Sequence, residues 1–243
     1  MRTITALALA ACVVPASVRA GDRETALAVV EQAIKAHGGE EALAKSVNST
    51  RTGKGTGSFN GMEVPFTTEV VLSLPDKQRF NLVADKKLHV TKVINGDKGW
   101  SLTGGASLEL PKEQIQDLRE ELYVWWLSTL APLKKDSFEL SPLPEIKVND
   151  KPAVGVKVAS KGHADAKLYF DKTSGLLVKI ERRAREAGLE VFKEYYYSDH
   201  KEIDGVKVPL REVLHVNGRK QHDVTLSAFK VLSKPDESAF GKP

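Results

Sequence analysis

The chain has 243 residues, of which 41% are hydrophobic and 28% are charged, with one cysteine and a formal charge of +4. The apolar fraction is too high for a disordered chain, a single cysteine cannot build a disulfide framework, and no apolar run beyond the N-terminus is long enough to span a membrane. The length fits one large domain or two small ones with a sizeable core.

Residues Met1–Ala20 have the three parts of a secretory signal peptide. Arg2 supplies a positive start, Ile4–Val14 is apolar, and Val18-Arg19-Ala20 is a small-x-Ala cleavage site. Leu9-Ala10-Ala11-Cys12 also resembles a lipoprotein box, but cleavage there would leave a signal that is too short. The sequence therefore favours a released periplasmic protein over a form anchored by lipid at Cys12.

Cleavage after Ala20 would leave residues 21–243, which we interpret as a single domain. Loss of Arg2 and Arg19 lowers the formal charge from +4 to +2, and loss of Cys12 removes the only cysteine. A chain without cysteine suits an oxidising periplasm. The near-neutral balance, without a long Lys/Arg tract, argues against nucleic-acid binding.

Two helices are predicted at the start of this domain. Asp22 can cap a helix that begins at Arg23. The buried face of that helix is expected to consist of Leu27, Val30, Ile34 and His37. Gly38-Gly39 would end it, because glycine accepts the left-handed backbone of a helix C-terminus. Glu40–Val47 is a short second helical stretch.

From Ser49 onward the hydrophobic period changes to two, which is the period of β-strands. The clearest run, Met62–Leu74, follows a two-residue hairpin signal at Asn60-Gly61. About ten strands are expected along the chain, and the short turns between them require antiparallel pairing. Pro142 and Pro144 mark a seam between two runs of strands, and we expect one sheet to cross it.

A third helix interrupts the strands between Pro111, at its first position, and Pro132, which would stop it. Its apolar stripe widens until Leu122–Leu127 is apolar on every side, so this end must be enclosed on several sides. Two interpretations are open. The helix end either packs in the core of a curled sheet or forms a lid whose aromatic side chains line an apolar cavity.

The chain has no recognisable catalytic or metal-binding motif. The histidines lack zinc-site spacing, and neither a nucleophile elbow nor a phosphate loop is present. Gly53–Gly57 favours a bent, glycine-bearing strand. Arg182, Arg183 and Arg185 are interpreted as a solvated basic patch, and Tyr195–Tyr197 as cross-strand packing. We therefore expect no enzyme, no cofactor and no metal site.

Four segments together resemble the outer-membrane lipoprotein-sorting (LolA-like) superfamily. They are His37–Leu43, Val93–Trp100, Leu168–Leu176 and Tyr196–Pro209. Asn95–Trp100 loosely matches the family's "DGxxxW" hairpin, and Asp171–Leu177 matches its "D..TGLL" hairpin well.

The resemblance implies an α+β fold that is mainly β: a curled antiparallel sheet forming a half-open barrel, with helices at its mouth. The concave side is apolar and, in carrier members, accepts acyl chains of lipoproteins. One departure concerns lipoprotein transfer. In the sorting chaperones an arginine directly precedes the proline that ends an early strand, whereas here Leu74 precedes Pro75.

Two functions are open at this point. The first is a non-enzymatic, monomeric periplasmic carrier of a lipid or of lipoprotein acyl chains, in which burial contributes about 0.8 kcal/mol per CH₂ and displacement of the helix opens the site. The second is an envelope partner-binding or stress-sensing module with a filled barrel. Under the first, the expected ligand-binding residues on the helix side are Trp100, Leu118, Leu122, Trp125, Trp126 and Leu130. Those expected on the sheet side are Val70, Leu72, Phe80, Leu82, Val156, Phe170 and Ile180.

Overall fold

The structure, a computed structural model, describes residues 20–59, 61–85, 88–186 and 188–243. Residues 1–19 of the predicted signal peptide, including Cys12, lie outside the described residues, as does Asn60 of the predicted hairpin turn. The helices are α1 (Ala20–Ala36), α2 (Glu40–Ser46) and α3 (Lys112–Ser128), with a short 3₁₀ helix at Glu237–Phe240.

Thirteen strands form one sheet, so the expectation of about ten was too low. The first six are β1 (Asn48–Phe59), β2 (Met62–Ser73), β3 (Lys77–Ala84), β4 (Leu88–Asn95), β5 (Lys98–Thr103) and β6 (Ala106–Glu109). The other seven are β7 (Phe138–Val148), β8 (Lys151–Ser160), β9 (Ala166–Asp171), β10 (Leu177–Glu186), β11 (Leu189–Ile203), β12 (Val206–Val216) and β13 (Arg219–Val231).

The sheet is antiparallel throughout and open. Its order runs β6-β5-β4-β3-β2-β1-β13-β12-β11-β10-β9-β8-β7, so each half is a meander and the pairing of β1 with β13 joins the halves. The free edges are β6 and β7, and α3 is the connection between them. This helix therefore crosses from one edge of the sheet to the other.

The enclosed end of α3 packs on both halves of the sheet. Leu122, on one side of the helix, belongs to an apolar cluster with Val70 and Leu72 of β2. Val124 and Leu127 belong to a second cluster that includes α1 and β7–β12. The sequence-based prediction that this end is enclosed on several sides is confirmed.

Two strands were missed for identifiable reasons. β6 has only four residues and lies at one edge of the sheet. β7 contains Pro142 and Pro144, which were interpreted as a seam, but β7 is the other edge strand, and an edge strand tolerates proline because one side makes no ladder bonds. The register of β7 against β8 shifts between Leu143 and Ile146, which accommodates the prolines in a bulge.

Helix boundaries differ in detail from the sequence-based expectation. α1 begins at Ala20, so Asp22 lies in its first turn and does not cap it. Pro111 is the residue before α3, and α3 ends at Ser128, four residues before Pro132. Leu130, buried and at φ +59°, turns the chain away from the helix. The predicted inner face of α1 is confirmed, because Val30, Ile34 and His37 are buried and Leu27 packs on the same cluster.

The α1–α2 junction rests directly on the β11–β12 turn. The N–H of Lys207 donates to the carbonyl of His37 at 3.0 Å. Gly38 has φ +113°, and a Cβ built on it would lie 2.0 Å from the carbonyl oxygen of Gly205. Gly39 also has a positive φ, +91°, but a Cβ there would meet nothing within 4 Å.

The two glycines predict different costs for the same substitution. Gly39→Ala should lower the free energy of unfolding by about 1–3 kcal/mol through backbone strain alone, whereas Gly38→Ala adds a backbone clash and should cost more. Urea unfolding of both variants measures the difference. Equal destabilisation by the two substitutions would contradict the tight docking of Gly38 on Gly205.

Candidate ligand-binding site

A partly enclosed cavity of about 220 Å³ lies on the concave face of the sheet, beside the C-terminal end of α3. Its apolar wall is formed by Leu43, Phe66, Val70, Phe80, Leu82, Trp125, Leu177, Val206, Val208, Val224, Leu226 and Phe229. Lys207 and Gln221 line it as well and are exposed, so the cavity reaches solvent beside these residues.

The space exists because β1 carries glycine where a side chain would point inward. Gly53, Gly55 and Gly57 alternate along the strand with Lys54 and Thr56, and Gly57 lines the cavity. Since residues i, i+2 and i+4 share one face of a strand, this face of β1 has no side chains beyond Arg51. The register with β13 also shifts between Thr52 and Gly53, which agrees with the bent strand predicted from the glycines.

Arg51 is the one long side chain on this face of β1, and it lines the cavity. Its Cζ lies 5.3 Å from the ring centroid of Trp125 and 5.5 Å from that of Phe229. Nε is buried and has no hydrogen-bond partner among the described residues. Burial lowers the pKa of Arg51, with Glu212 and Tyr197 acting in the opposite direction. An arginine nevertheless stays protonated in proteins, so the wall carries an enclosed cation.

Glu212 and His222 add a second polar pair to the wall. His222 Nε2 lies 3.1 Å from a carboxylate oxygen of Glu212, and both residues line the cavity. Glu212 thus has a partner on β13, while no ion pair between Glu212 and Arg51 is found in the part of the chain that the structure describes.

The thirteen residues predicted to bind ligand fall into three groups. Four of them line the cavity: Val70, Phe80, Leu82 and Trp125. Eight pack in the two apolar clusters: Leu72, Leu118, Leu122, Trp126, Leu130, Val156, Phe170 and Ile180.

Trp100 lies apart from both the cavity and the clusters. A Cβ on its neighbour Gly99 would point at Ile115 of α3, so alternation along β5 turns Trp100 to the opposite face of the sheet. Sequence reasoning had placed it on the side of the helix.

Sequence reasoning missed the polar wall of the site. Arg51 was not singled out, although its position at the head of alternating glycines was a usable signal. Glu212 and His222 gave no such signal, because they meet only through the pairing of β12 with β13 and are ten residues apart.

A buried ionic network holds α3 to the sheet. Glu121 of α3 accepts hydrogen bonds from Arg182, from Lys193 at 2.8 Å and from the Tyr195 hydroxyl at 2.6 Å. Arg182 and Lys193 are only 3% and 4% exposed. The interpretation of Arg182 as part of a solvated patch is therefore wrong, whereas Arg183 and Arg185 are exposed as expected.

The network keeps Glu121 ionised. Burial raises the pKa of this carboxyl group, but Arg182 and Lys193 outweigh the burial, and the net pKa is lowered. Burial raises the pKa of Tyr195 well above its ordinary value, so its hydroxyl remains a donor to Glu121.

Two buried histidines lie at the α1 end of the cavity. His37 Nδ1 is 2.8 Å from the carbonyl oxygen of Ala33, and the N–H of Leu177 donates to Nε2 at 3.3 Å. Because a carbonyl only accepts and an amide N–H only donates, the ring is neutral and carries its proton on Nδ1. His200 lies edge-on to His37 at 5.9 Å.

Both rings have lowered pKa values. Burial is the largest cause for each; it lowers the pKa of His37 below its ordinary value and that of His200 to about 4, with His37 lowering the latter further. Among the charged groups nearby, Lys207 also lowers both pKa values and Asp199 raises that of His200.

No group of three or more His, Cys, Asp or Glu side chains that could hold a metal ion is found among the described residues. Over the same ranges, no helix is both long and apolar enough to span a bilayer.

Comparison with known proteins establishes the fold. No protein-family model and no curated protein matches the chain. Among solved structures, a LolA superfamily protein from Nitrosomonas europaea is similar, with 12% identity, a TM-score of 0.57, and coverage of 89% of this chain and 97% of that one.

Two further structures agree. An outer membrane lipoprotein-sorting protein domain from Vibrio parahaemolyticus has 11% identity and a TM-score of 0.55, covering 90% of this chain and 97% of its own. A DUF1329 family protein from Desulfovibrio piger has 12% identity and a TM-score of 0.54, covering 89% and 97%. The LolA-like resemblance predicted from the sequence is confirmed as a shared fold.

The α3 network predicts a large effect of one substitution. Glu121→Gln leaves two buried cations without a carboxylate, which should lower the free energy of unfolding by about 3–5 kcal/mol. Glu113→Gln makes the same change on an exposed part of α3 and should be nearly neutral. Guanidinium unfolding of both variants provides the measurement, and a small effect at Glu121 would show that the network does not hold the helix.

The histidines predict acid sensitivity. Because the folded-state pKa values are lowered, the unfolded chain binds more protons below pH ~6.5, and stability should fall as the pH decreases from about 6.5 toward 4. Each unit of lowering corresponds to about 1.4 kcal/mol. Urea unfolding at pH 7.5 and 5.5 should show a smaller pH effect for His200→Gln than for the wild type. His89→Gln, at an exposed histidine, should behave as the wild type does.

Proposed function

We propose that the protein is a non-enzymatic binder or carrier of a lipid or acyl chain, which it holds in the cavity beside α3. The observation that carries this proposal is the apolar cavity itself: the clusters around α3 fill the rest of the concave face, while Val70, Phe80, Leu82 and Trp125 face open space. The LolA-type fold is compatible with such a role.

The dimensions of the cavity favour a narrow apolar ligand. A closed apolar cavity of about 150 Å³ stays dry and admits a benzene-sized molecule, and this cavity measures about 220 Å³. Each CH₂ moved from water onto the apolar wall contributes about 0.8 kcal/mol. An alkyl chain of several carbons would therefore bind without any chemical step.

The proposal includes a compartment. We propose that Met1–Ala20 is removed on export and that residues 21–243 act as a monomeric, single-domain periplasmic protein without cofactor. The three-part signal pattern and the absence of cysteine after Ala20 support this.

A partner-binding module is the second candidate function. Met62, Leu88 and Leu189 are exposed apolar residues beside the β1–β2, β3–β4 and β10–β11 turns. The pairing of Gly57 with His222 shows that the hairpin turns of both halves lie at the same end of the sheet. These residues favour a contact with another envelope protein at that end.

A substitution inside the cavity separates the two functions. Leu82→Trp fills the cavity from β3 and should weaken binding of a fluorescent fatty acid at least about tenfold. Val83→Trp is the matched control, because alternation turns position 83 to the other face of the strand. Direct titration of the probe into each variant gives the affinities.

The wild-type protein provides the decisive outcome. Purified from its native envelope, it should release lipid into organic solvent and bind the fluorescent probe. Protein that releases no lipid and binds no probe would contradict the carrier function and support the partner-binding module.

A further inference from the structure

Arg51 is a cation built into an apolar wall without a counter-ion. The side chain is enclosed by protein, its Nε has no partner among the described residues, and its accessible surface faces the cavity that it lines. Burying a charge without a partner costs free energy. In the ligand-free protein that cost is left without a visible return in stability.

The two aromatic rings beside Arg51 offset part of the cost and leave its hydrogen bonds unmade. Trp125 and Phe229 lie 5.3 and 5.5 Å from Cζ. A ring face attracts a cation, but it does not replace an in-plane acceptor. The guanidinium fork therefore stays available to a planar, bidentate anion such as a carboxylate.

The acidic residue in the same cavity does not fill this role. Glu212 acts on Arg51 at a distance, while its carboxylate is bound by His222 at 3.1 Å. Its negative charge also limits how much additional negative charge the cavity accepts. A singly charged headgroup is therefore favoured over a doubly charged one.

The glycine face of β1 leads away from Arg51 along the cavity. Gly53, Gly55 and Gly57 continue this face, and Phe66, Leu82 and Val224 line the cavity around it. An alkyl chain attached to a headgroup at Arg51 would lie on apolar surface along this direction. A charged anchor therefore stands at one point of an otherwise apolar channel.

We propose that Arg51 binds the carboxylate of a single-chain carboxylic acid, with the alkyl chain along the glycine face of β1. This inference rests on the proposed function, since it names the class of ligand that the cavity takes. It assigns recognition to charge at one end and apolar burial along the rest.

Matched probes with the same chain test the assignment. Octanoate, octan-1-ol and octyl phosphate are titrated by calorimetry at pH 7.5 into the wild type, Arg51→Met and Lys207→Met. Wild type should bind octanoate at least about tenfold more tightly than octan-1-ol, because charge-assisted hydrogen bonds are the strong ones. Arg51→Met should bind the two equally, with its affinity for the alcohol unchanged.

The other arms separate the alternatives. Lys207→Met removes a cation from the exposed part of the wall and should keep the preference for octanoate. Equal binding of octanoate and octan-1-ol by the wild type, or a preference that survives in Arg51→Met, would overturn the role of Arg51 and leave the carrier function standing. Tighter binding of octyl phosphate than of octanoate would overturn the carboxylate. Failure of all three probes to bind the wild type would overturn the carrier function and this inference together.

Stability keeps the test interpretable. Replacing an unpaired buried cation with an apolar side chain of similar length is expected to be neutral or stabilising, so Arg51→Met should have a Tm equal to or above that of the wild type. Arg51→Gln is the second variant and should likewise lose the preference. A large drop in Tm for both variants would show that Arg51 serves packing and would overturn the proposal.

Discussion

The constraint on which the structure depends is the enclosure of the C-terminal half of α3. Its side chains are apolar around the whole circumference, so one sheet face cannot bury them all. The thirteen strands solve this by curling, so that β2 and β4 pack on one side of the helix and β7–β12 on another. The pairing of β1 with β13 allows this, because it joins two meanders into a sheet wide enough to reach around the helix.

The cavity follows from where that enclosure ends. The two clusters fill the concave face along the helix, and beyond Trp125 the helix no longer supplies the side chains that would fill the groove. On the opposing strand, Gly53, Gly55 and Gly57 supply none either. A glycine face weakens a strand, so its position opposite the end of α3 costs stability and leaves volume in return. The interior is thus filled along α3 and open beyond its end.

Most of the fold was predictable because alternation and turns are local signals. Met62–Ser73 and the helices could be located from period and punctuation alone. β6 was too short to show a period, and the prolines of β7 are interpretable only once β7 is known to be an edge. The site was harder to predict. An apolar residue facing inward looks the same in a sequence whether it meets α3, as Val156 does, or open space, as Leu82 does.

The network at Glu121 changes how a ligand would reach the cavity. Displacement of α3, the opening expected from sequence, would separate Glu121 from Arg182 and Lys193 and leave two buried cations without a carboxylate. Breaking a buried pair in this way costs about 3–5 kcal/mol. Access beside Gln221 or Lys207, the exposed residues of the wall, breaks none of these contacts. The lower-cost path therefore leaves α3 in place, and α3 acts as a fixed wall of the cavity against which Trp125 and Arg51 are held.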